Sequence, residues 1–280
     1  MNKQKVLCFY HSRDLDGWTS AAIVKDRYPD TTLMGWDYGD PVPDTIDFYY
    51  YDLVFLVDIS FDPETMQILP SHVIWIDHHI SAIRDSEKHG YALVNGIRNS
   101  EYAACELTWD YTHEGEMPEG VHLAGLYDSF RHMKQSLKTQ KKVMHFQYAA
   151  RANVSNPEEA AQLLTLSAKT WITAGKNIFR YLKTEAGSTI KNAFPVEILG
   201  HKGLMVNATR FNPSNFDIGY TQEFFGCFHY TGKKWVVSLY SDGKLDVSTI
   251  CKEFGGGGHA GAAGFQIDTT EKLNRIIIKN

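Results

Sequence analysis

Three short apolar runs in the first third of the chain each end in acidic or histidine side chains. Residues 6–10 lead to His11, Asp14 and Asp16, residues 53–57 to Asp58, and residues 73–76 to Asp77, His78 and His79. Helical stretches separate these runs, which is typical of βαβ units and a parallel sheet. The carboxyl ends of parallel strands meet at one edge, where open sheets bind ligands. We therefore expect these polar side chains to collect at one site.

The chain is long enough for two domains. Its 280 residues exceed the common domain size of about 100–200 residues. Helical periodicity dominates from about residue 100 to 187, and strand-like patterns begin again near 195. The sequence predicts an α/β domain at 1–187, with a mainly parallel sheet flanked by helices and a helical extension. It also predicts a smaller α+β domain at 195–280.

Composition narrows the class of protein. A net charge of −5 argues against a protein that grips long duplexes through many phosphate contacts. The amino-terminal apolar run is too short for a signal peptide or a membrane span, so we expect a cytoplasmic protein with no membrane partner. The four cysteines are widely scattered, which predicts reduced thiols in the core rather than a zinc or redox motif.

The polar residues at the strand ends indicate a metal site. Asp14 and Asp16 lie on one loop, where two carboxylates repel each other unless a cation neutralises them. A D-x-D-G string alone is often a turn or a helix cap, but Asp58 and the histidine pair extend it to a cage of oxygen and nitrogen ligands. Such a cage favours Mn²⁺, Mg²⁺ or a related divalent ion such as Co²⁺. The ligands are too many for one ion, and two ions bridged by one carboxylate suit phosphoester hydrolysis.

The glycine-rich segment 255–264 is the second strong signal. Successive glycines let backbone N–H groups converge on an anion. The segment lacks the pattern of a P-loop, and a flexible linker would not explain a histidine followed by a compact Ala/Gly stretch, which we expect to be helical. We therefore expect Gly257, Gly258 and His259 to contact a phosphate or a nucleotide.

A basic segment lies between Asp128 and Glu158, which contains no acid and six lysines and arginines, beginning with Arg131. Two interpretations stay open. The segment is the solvated face of surface helices, or it is a lip, including Arg131, that attracts a polyanion.

The ordered set of motifs resembles the DHH phosphoesterase family, specifically members with a glycine-rich DHH-associated carboxyl-terminal domain. The matching strings begin at His11, Val57, Asp77 and Gly255 and together span nearly the whole chain. A further family acid is matched by Asp128, at the end of Leu123-Ala-Gly-Leu-Tyr-Asp128.

The resemblance implies a role for each matching residue. It makes His11, Asp14 and Asp58 the ligands of one ion, and Asp16, Asp58, His78 and Asp128 the ligands of a second, with Asp58 bridging. Asp77 would orient His78 from behind, as carboxylates commonly do for ligand imidazoles. His79 would face the scissile phosphate as a hydrogen-bond donor or as an acid for the leaving oxygen.

Two positions depart from the family pattern. The spacing from His11 to Asp14 is three residues, and this distance varies among relatives. Many relatives carry an arginine before the serine of the strand that leads to the glycine motif, whereas this chain has Tyr240 before Ser241. A substrate contact from that arginine is therefore missing or is replaced by Tyr240.

These features predict a two-metal, oligoribonuclease-like phosphodiesterase that degrades short single-stranded oligonucleotides or linear dinucleotides to 5′-mononucleotides. A single-strand exonuclease and a cyclic dinucleotide phosphodiesterase are alternatives, while pyrophosphatase or exopolyphosphatase activity fits the glycine-rich signature less well. An alternative of another class is a nucleic-acid-binding module without catalysis. The sequence leaves open the direction of attack, RNA or DNA preference, the native metal and the oligomeric state, a homodimer included.

Overall fold

The apolar runs of the first half form a parallel sheet, as their alternation with helical segments predicts. A computed structural model describes residues 4–38, 40–41, 46–91, 94–209, 211–216 and 218–277. The sheet contains the four strands β1 (Val6–His11), β2 (Thr32–Trp36), β3 (Leu53–Val57) and β4 (Val73–Ile76). Their order is β2-β1-β3-β4, and all three pairings are parallel. β2 and β3 flank β1, so the topological switch point lies at the carboxyl end of β1.

Both faces of this sheet are buried. Leu7, Phe9 and Trp75 pack into the core on one face, while Cys8 and Phe55 pack on the other. Strands buried on both faces are near-continuous apolar runs rather than alternating ones. This explains why the runs ending at His11, Asp58 and Asp77 are so apolar, and why the polar residues that follow them lie together at the sheet edge.

Helices cover the sheet and continue as a separate helical layer. They are α1 (Leu15–Arg27), α2 (Pro63–Gln67), α3 (Ile80–His89), α4 (Ala104–Thr112), α5 (Glu119–Asp128), α6 (Leu137–Asn153), α7 (Pro157–Ala160), α8 (Gln162–Thr165) and α9 (Ala168–Thr189). Ile23, Leu123 and Phe146 belong to one buried cluster that joins α1, α5 and α6. The helical character predicted for residues 100–187 is thus observed.

The sequence pattern at 91–95 also predicts a strand, but residues 92 and 93 lie outside the described residues. Around them, Asn95 forms a single parallel bridge with Ile74, and Arg98 forms another with Asp77. These bridges extend the sheet edge beyond β4 at isolated positions.

The chain divides into two compact units, Met1–Ile178 and Phe179–Asn280. The division falls within α9, upstream of the joint that the sequence suggests near 187–195. The second unit contains a mixed sheet of six strands in the order β5-β6-β7-β8-β10-β9. Its strands and helices are β5 (Phe194–Ile198), β6 (His201–Asn207), β7 (Phe224–Tyr230), β8 (Trp235–Tyr240), α10 (Val247–Lys252), β9 (Gly257–His259), β10 (Ala262–Ile267) and α11 (Thr270–Ile277).

The glycine-rich segment is a β-hairpin, so the helical stretch expected after His259 was wrong. β9 pairs antiparallel with β10, in the registers Gly257–Gly264 and His259–Ala262. Alanine and glycine permit a helix, but here the backbone hydrogen-bonds to the neighbouring edge strand, and β10 continues as a central strand beside β8.

The α/β class with a second mixed-sheet unit is confirmed. All four cysteines are buried thiols outside any disulfide, as expected for the core. Within the described part of the chain, helices of the length and apolar character required to cross a bilayer are absent.

Candidate metal centre

His11 and Asp14 are held together by the tight connection between β1 and α1. Asp14 caps α1, with its Oδ1 accepting a hydrogen bond from the Gly17 backbone N–H at 3.0 Å. A Cβ at position 17 would lie 2.1 Å from the His11 carbonyl oxygen, so only glycine allows this close approach. The Asp14 Oδ2 consequently lies 2.9 Å from His11 Nδ1.

Asp16 is buried in the first turn of α1 and is fixed by another helix. Its two carboxylate oxygens accept backbone hydrogen bonds from Ala104 at 2.9 Å and from Cys105 at 2.8 Å. These amides belong to the first turn of α4, where N–H groups lack partners within the helix and favour a negative charge. These hydrogen bonds therefore fix the orientation of the Asp16 carboxylate and offset part of the cost of its burial.

Asp58 connects two groups of possible metal ligands. It follows β3 in the left-handed region, with φ of 61°, a strained conformation of the kind often found at functional sites. Its Oδ2 lies 3.4 Å from His11 Nδ1, while its Oδ1 lies 3.3 Å from His78 Nε2. The two oxygens of one carboxylate therefore face different imidazoles.

His78 is the centre of the second group. Its Nε2 lies 3.6 Å from Asp16 Oδ2 and 3.3 Å from Asp128 Oδ2. Asp128 is the last residue of α5, and the structure brings it to the sheet edge although its local sequence match is short. The ligating atoms of Asp16, His78 and Asp128 lie within 4.8 Å of one another, as do those of His11, Asp14 and Asp58.

Asp77 contacts the ring of His79 rather than that of His78. Its Oδ1 accepts hydrogen bonds from the backbone N–H groups of His78 at 2.7 Å and His79 at 3.1 Å, and lies 2.8 Å from His79 Nδ1. The suggestion that Asp77 orients the His78 imidazole was therefore wrong. A completely buried Asp77 fixes the turn after β4 and holds His79, whose Nε2 is left for other contacts.

The charged groups of the centre shift one another's pKa values. Burial disfavours the charged form of His11, but the nearby carboxylates of Asp14 and Asp58 outweigh it and raise the pKa to about 11. The same balance, with Asp58 and Asp16 as partners, raises the pKa of His78 to about 11. Burial and neighbouring carboxylates raise the pKa of Asp16 well above its ordinary value. Four carboxylates thus lie around two imidazoles, and a cation bound there would relieve the repulsion between the carboxylates.

The residues present fit divalent ions. Among the described residues, the buried atoms His11 Nδ1 and Asp58 Oδ1 have no well-aligned hydrogen-bond partner, and both are aimed into the ligand groups. An unsatisfied buried polar atom is costly, and metal ligation satisfies it. Carboxylate and imidazole ligands in these numbers suit Mn²⁺, Mg²⁺ or Co²⁺.

Asp37 is a neighbour of the centre that the sequence reasoning missed. It follows β2, and its Oδ1 lies 3.4 Å from His11 Nε2, while Arg13 Nε donates to its Oδ2 at 2.5 Å. Asp37 therefore faces His11 Nε2, whereas His11 Nδ1 faces Asp14 and Asp58. Asp37 directly follows the strand Thr32–Trp36, so its place at a strand end is the sequence signal that marks it.

The predicted anion site of the second unit is built mainly from backbone. A Cβ at position 256 would lie 2.1 Å from the Gly264 carbonyl oxygen, and Gly258 has φ of +138°, so both positions require glycine. Among the described residues, nothing lies within 4 Å of a Cβ built on Gly257. Packing therefore does not explain the glycine at position 257.

Tyr240 and His259 belong to the same surface as this hairpin. Both residues pair with Ala262, Tyr240 from β8 and His259 from β9. Side chains of directly paired residues project from the same face of a sheet. The small Ala262 consequently lies between a tyrosine and a histidine, next to the glycines.

The basic segment is partly neutralised by acids of neighbouring helices. Arg131 forms an ion pair with the buried Glu106 and lies 4.5 Å above the ring of Tyr102. Lys142 pairs with Glu119 of α5. A substrate contact by Arg131 would compete with Glu106, and this role stays a prediction.

Comparisons with known proteins agree with this geometry. A model described as the DHH family, N-terminal domain, matches residues 5–140, and one described as the DHHA1 domain matches residues 224–279. A comparison with curated proteins found no match.

Solved structures with related architecture are distant in sequence. A pGpG-specific phosphodiesterase, PggH, from Vibrio cholerae is 12% identical, with 97% of this chain and 96% of that chain covered and a TM-score of 0.52. An uncharacterized protein from Helicobacter pylori G27 is 15% identical, with 98% and 99% covered and a TM-score of 0.40. RecJ from Thermus thermophilus, in complex with Mn²⁺, is 14% identical, with 97% and 50% covered and a TM-score of 0.48.

The fold and the paired ligand groups at its sheet edge define a metal-dependent phosphoesterase. The chain belongs to the DHH family, with a DHH domain followed by a DHHA1 domain.

Proposed function

We propose that the chain is a two-metal phosphodiesterase that hydrolyses short oligonucleotides or linear dinucleotides to 5′-mononucleotides. The observation that carries this proposal is the position of Asp58, whose two oxygens face the His11 group and the His78 group separately. A shared carboxylate of this kind is what two closely spaced ions require. The fold likeness to the pGpG phosphodiesterase is consistent with the proposal.

His11, Asp14 and Asp58 would hold one ion, and Asp16, Asp58, His78 and Asp128 would hold the other. When bound, the ions would supply positive charge for the phosphate and lower the pKa of water toward neutrality. Mn²⁺ is the ion we favour for this mixed set of nitrogen and oxygen ligands, with Mg²⁺ and Co²⁺ as alternatives.

His79 has the position of a hydrogen-bond donor to the substrate. It is only partly buried, at 26% side-chain exposure, and Asp77 fixes its Nδ1. The Asp77 hydrogen bond raises the pKa of His79 to about 9 against the effect of burial, which favours a protonated ring. His79 would therefore donate from Nε2 to a phosphate oxygen, or protonate the leaving oxygen.

The glycine-rich hairpin would bind the far end of the substrate. Gly257 would leave the backbone open to an anion, the left-handed Gly258 follows it in the same hairpin, and His259 and Tyr240 lie on either side of Ala262. A second anion site of this kind favours substrates that carry more than one nucleotide. We favour short substrates because the chain is acidic overall, with a net charge of −5.

The test is incubation with Mn²⁺ and end-labelled ribo- and deoxyribo-oligomers of increasing length, with pyrophosphate, polyphosphate and cyclic dinucleotides as competing substrates. We expect fastest release of 5′-mononucleotides from the shortest linear oligomers. Preference for long strands would indicate a single-strand exonuclease. Rapid hydrolysis of pyrophosphate alone would overturn the proposal, and oligonucleotide binding without hydrolysis or metal would indicate a binding module.

Two variants separate catalysis from folding. Asp16→Asn and His78→Ala should abolish hydrolysis while circular dichroism shows an intact fold. His113→Ala is the matched control, because His113 also pairs with a carboxylate, Asp26, but lies outside the ligand groups. Full activity in both site variants would contradict the mechanism.

A further inference from the structure

A cleft of about 730 Å³ opens beside the metal centre within the first unit. Its lining includes His11 and His79 together with the aromatic residues Trp36, Tyr38 and Phe61. A volume between about 300 and 1,000 Å³ is usual for small-molecule sites. Because His11 and His79 line the cleft, a group bound there is adjacent to a phosphate at the metal centre.

Tyr38 is placed to stack against a planar ligand. Its ring lies 5.8 Å from His11, 6.0 Å from His79 and 5.5 Å from Trp36, between centroids. These rings meet Tyr38 at interplanar angles of 65°, 75° and 70°, so none of the three stacks on it. Tyr38 is also 47% exposed, although Trp36 beneath it is only 7% exposed. The Tyr38 ring is therefore held by edge contacts with its neighbours, and it has exposed surface on which an aromatic ligand can stack.

The acidic side chains of the cleft disfavour a second phosphate as the bound group. Asp62 and Asp85 line it, and its described lining contains no lysine or arginine. Thr65 engages the Asp62 carboxylate through its backbone N–H and its hydroxyl, whereas Asp85 is exposed on α3. A second phosphate here would meet like charge, whereas the N–H donors of a base would meet acceptors.

We infer that this cleft binds one nucleobase of the substrate, with Tyr38 as its stacking surface and the linked phosphate at the metal centre. The inference rests on the proposed function and adds a determinant of specificity. An aromatic, acidic cleft next to the reacting phosphate selects nucleotides over pyrophosphate and polyphosphate, which have no base to place there.

The test compares a dinucleotide with two counterparts in which one base at a time is absent. For the wild-type chain, removing the base that occupies the cleft should lower kcat/KM by about 5- to 150-fold, the range expected for base stacking on an aromatic ring. The ratio of kcat/KM for the intact dinucleotide to kcat/KM for the counterpart without that base should fall to about one in Tyr38→Ala and stay at the wild-type value in Tyr38→Phe. A variant that loses activity equally toward both substrates keeps this ratio, so a general loss of activity cannot be mistaken for loss of the base site.

Tyr49→Ala is the matched control, since Tyr49 is an 80% exposed tyrosine of the same unit outside the cleft lining. It should retain the wild-type ratio. An unchanged ratio in Tyr38→Ala, or a wild-type chain indifferent to both base removals, would overturn the inference.

A binding measurement keeps the inference testable if the chain does not hydrolyse dinucleotides. Calorimetry with Mn²⁺ should show adenosine 5′-monophosphate binding at least about five-fold tighter than ribose 5-phosphate. The difference should vanish in Tyr38→Ala. Equal affinities in the wild-type chain would contradict the base site, whereas failure of dinucleotide hydrolysis with this difference intact would contradict only the proposed function.

Discussion

In the candidate metal centre the proposed binding groups are buried side chains, whereas in the glycine-rich hairpin they would be backbone groups with few side chains. Asp16, Asp58 and His78 are each less than 10% exposed and repel or attract one another strongly. A Cβ added at Gly257 would lie in open space. Under the proposed function, the first region would depend on charge and the second on free volume. Isosteric changes of charge should damage the first, and small additions of volume should damage the second.

The largest effect is expected for Asp58→Asn. Asparagine also adopts the left-handed conformation that position 58 requires, so the substitution removes charge without adding backbone strain. We expect hydrolysis to fall by at least about 1,000-fold, because the loss of several kcal/mol of charge stabilisation costs tenfold per about 1.4 kcal/mol. Asp52→Asn, at the opposite end of β3, should retain activity. Activity within tenfold of wild type in Asp58→Asn would refute the shared carboxylate.

Divalent ions should stabilise the first region and not the second. Mn²⁺ at a concentration of about 100 times its dissociation constant should add about 2.7 kcal/mol to the free energy of unfolding around the centre. Hydrogen exchange should then slow by about 100-fold in β1, β3 and β4 while β9 and β10 change little. If Mn²⁺ slowed hydrogen exchange equally in both regions, the claim that only the first region binds divalent ions would be contradicted.

A smaller effect is expected for Asp37→Asn. Asp37 faces His11 Nε2, and the loss of such a supporting carboxylate commonly reduces metal affinity by about 10- to 100-fold. Calorimetric titration with Mn²⁺ should show weakening of one of two ions only. Asp26→Asn is the control, since it removes another carboxylate–histidine pair, with His113. Identical titrations for Asp37→Asn and wild type would show that His11 needs no such support.

The smallest effect is expected for Gly257→Ala. The added methyl group has room, so the free energy of unfolding should stay within about 0.5 kcal/mol of wild type. KM for a dinucleotide should nevertheless rise by about tenfold, because the methyl group obstructs an anion at the backbone.

Gly219→Ala, which also adds a methyl group into open space, should leave KM unchanged. Gly256→Ala should instead destabilise the second unit by about 1–3 kcal/mol, since its Cβ would meet Gly264 and Phe265. An unchanged KM in Gly257→Ala would show that the hairpin is a structural element only.

The sequence was sufficient to predict the parallel sheet and the clustering of polar residues at its strand ends, because buried parallel strands and charged ends both leave a strong local pattern. It was insufficient for the partner of Asp77. Side chains alternate along an extended chain, which places Asp77 and His79 on the same side. Alternation does not say which imidazole Asp77 contacts, because its hydrogen bonds to His79 depend on the turn that follows β4. Turn geometry is set by tertiary contacts rather than by the local pattern.

The hairpin was mistaken for a helix for a similar reason. Alanine and glycine between Ala260 and Gly264 have no strong β preference, and pairing with β8 decides their conformation. Tyr38 gave no sequence signal because a lone tyrosine after a strand is common. Its significance comes from its contacts with His11, His79 and Trp36. These residues lie at or just after the ends of three different strands, and only the tertiary fold brings the two histidines to Tyr38.

The most direct test of the account is the anomalous scattering from crystals of the chain grown with Mn²⁺. We predict two manganese peaks about 3.5–4 Å apart, one beside His11 and Asp14 and the other beside His78 and Asp128, with Asp58 touching both. A single peak, or two peaks of which Asp58 touches only one, would contradict the shared carboxylate at the centre of the mechanism.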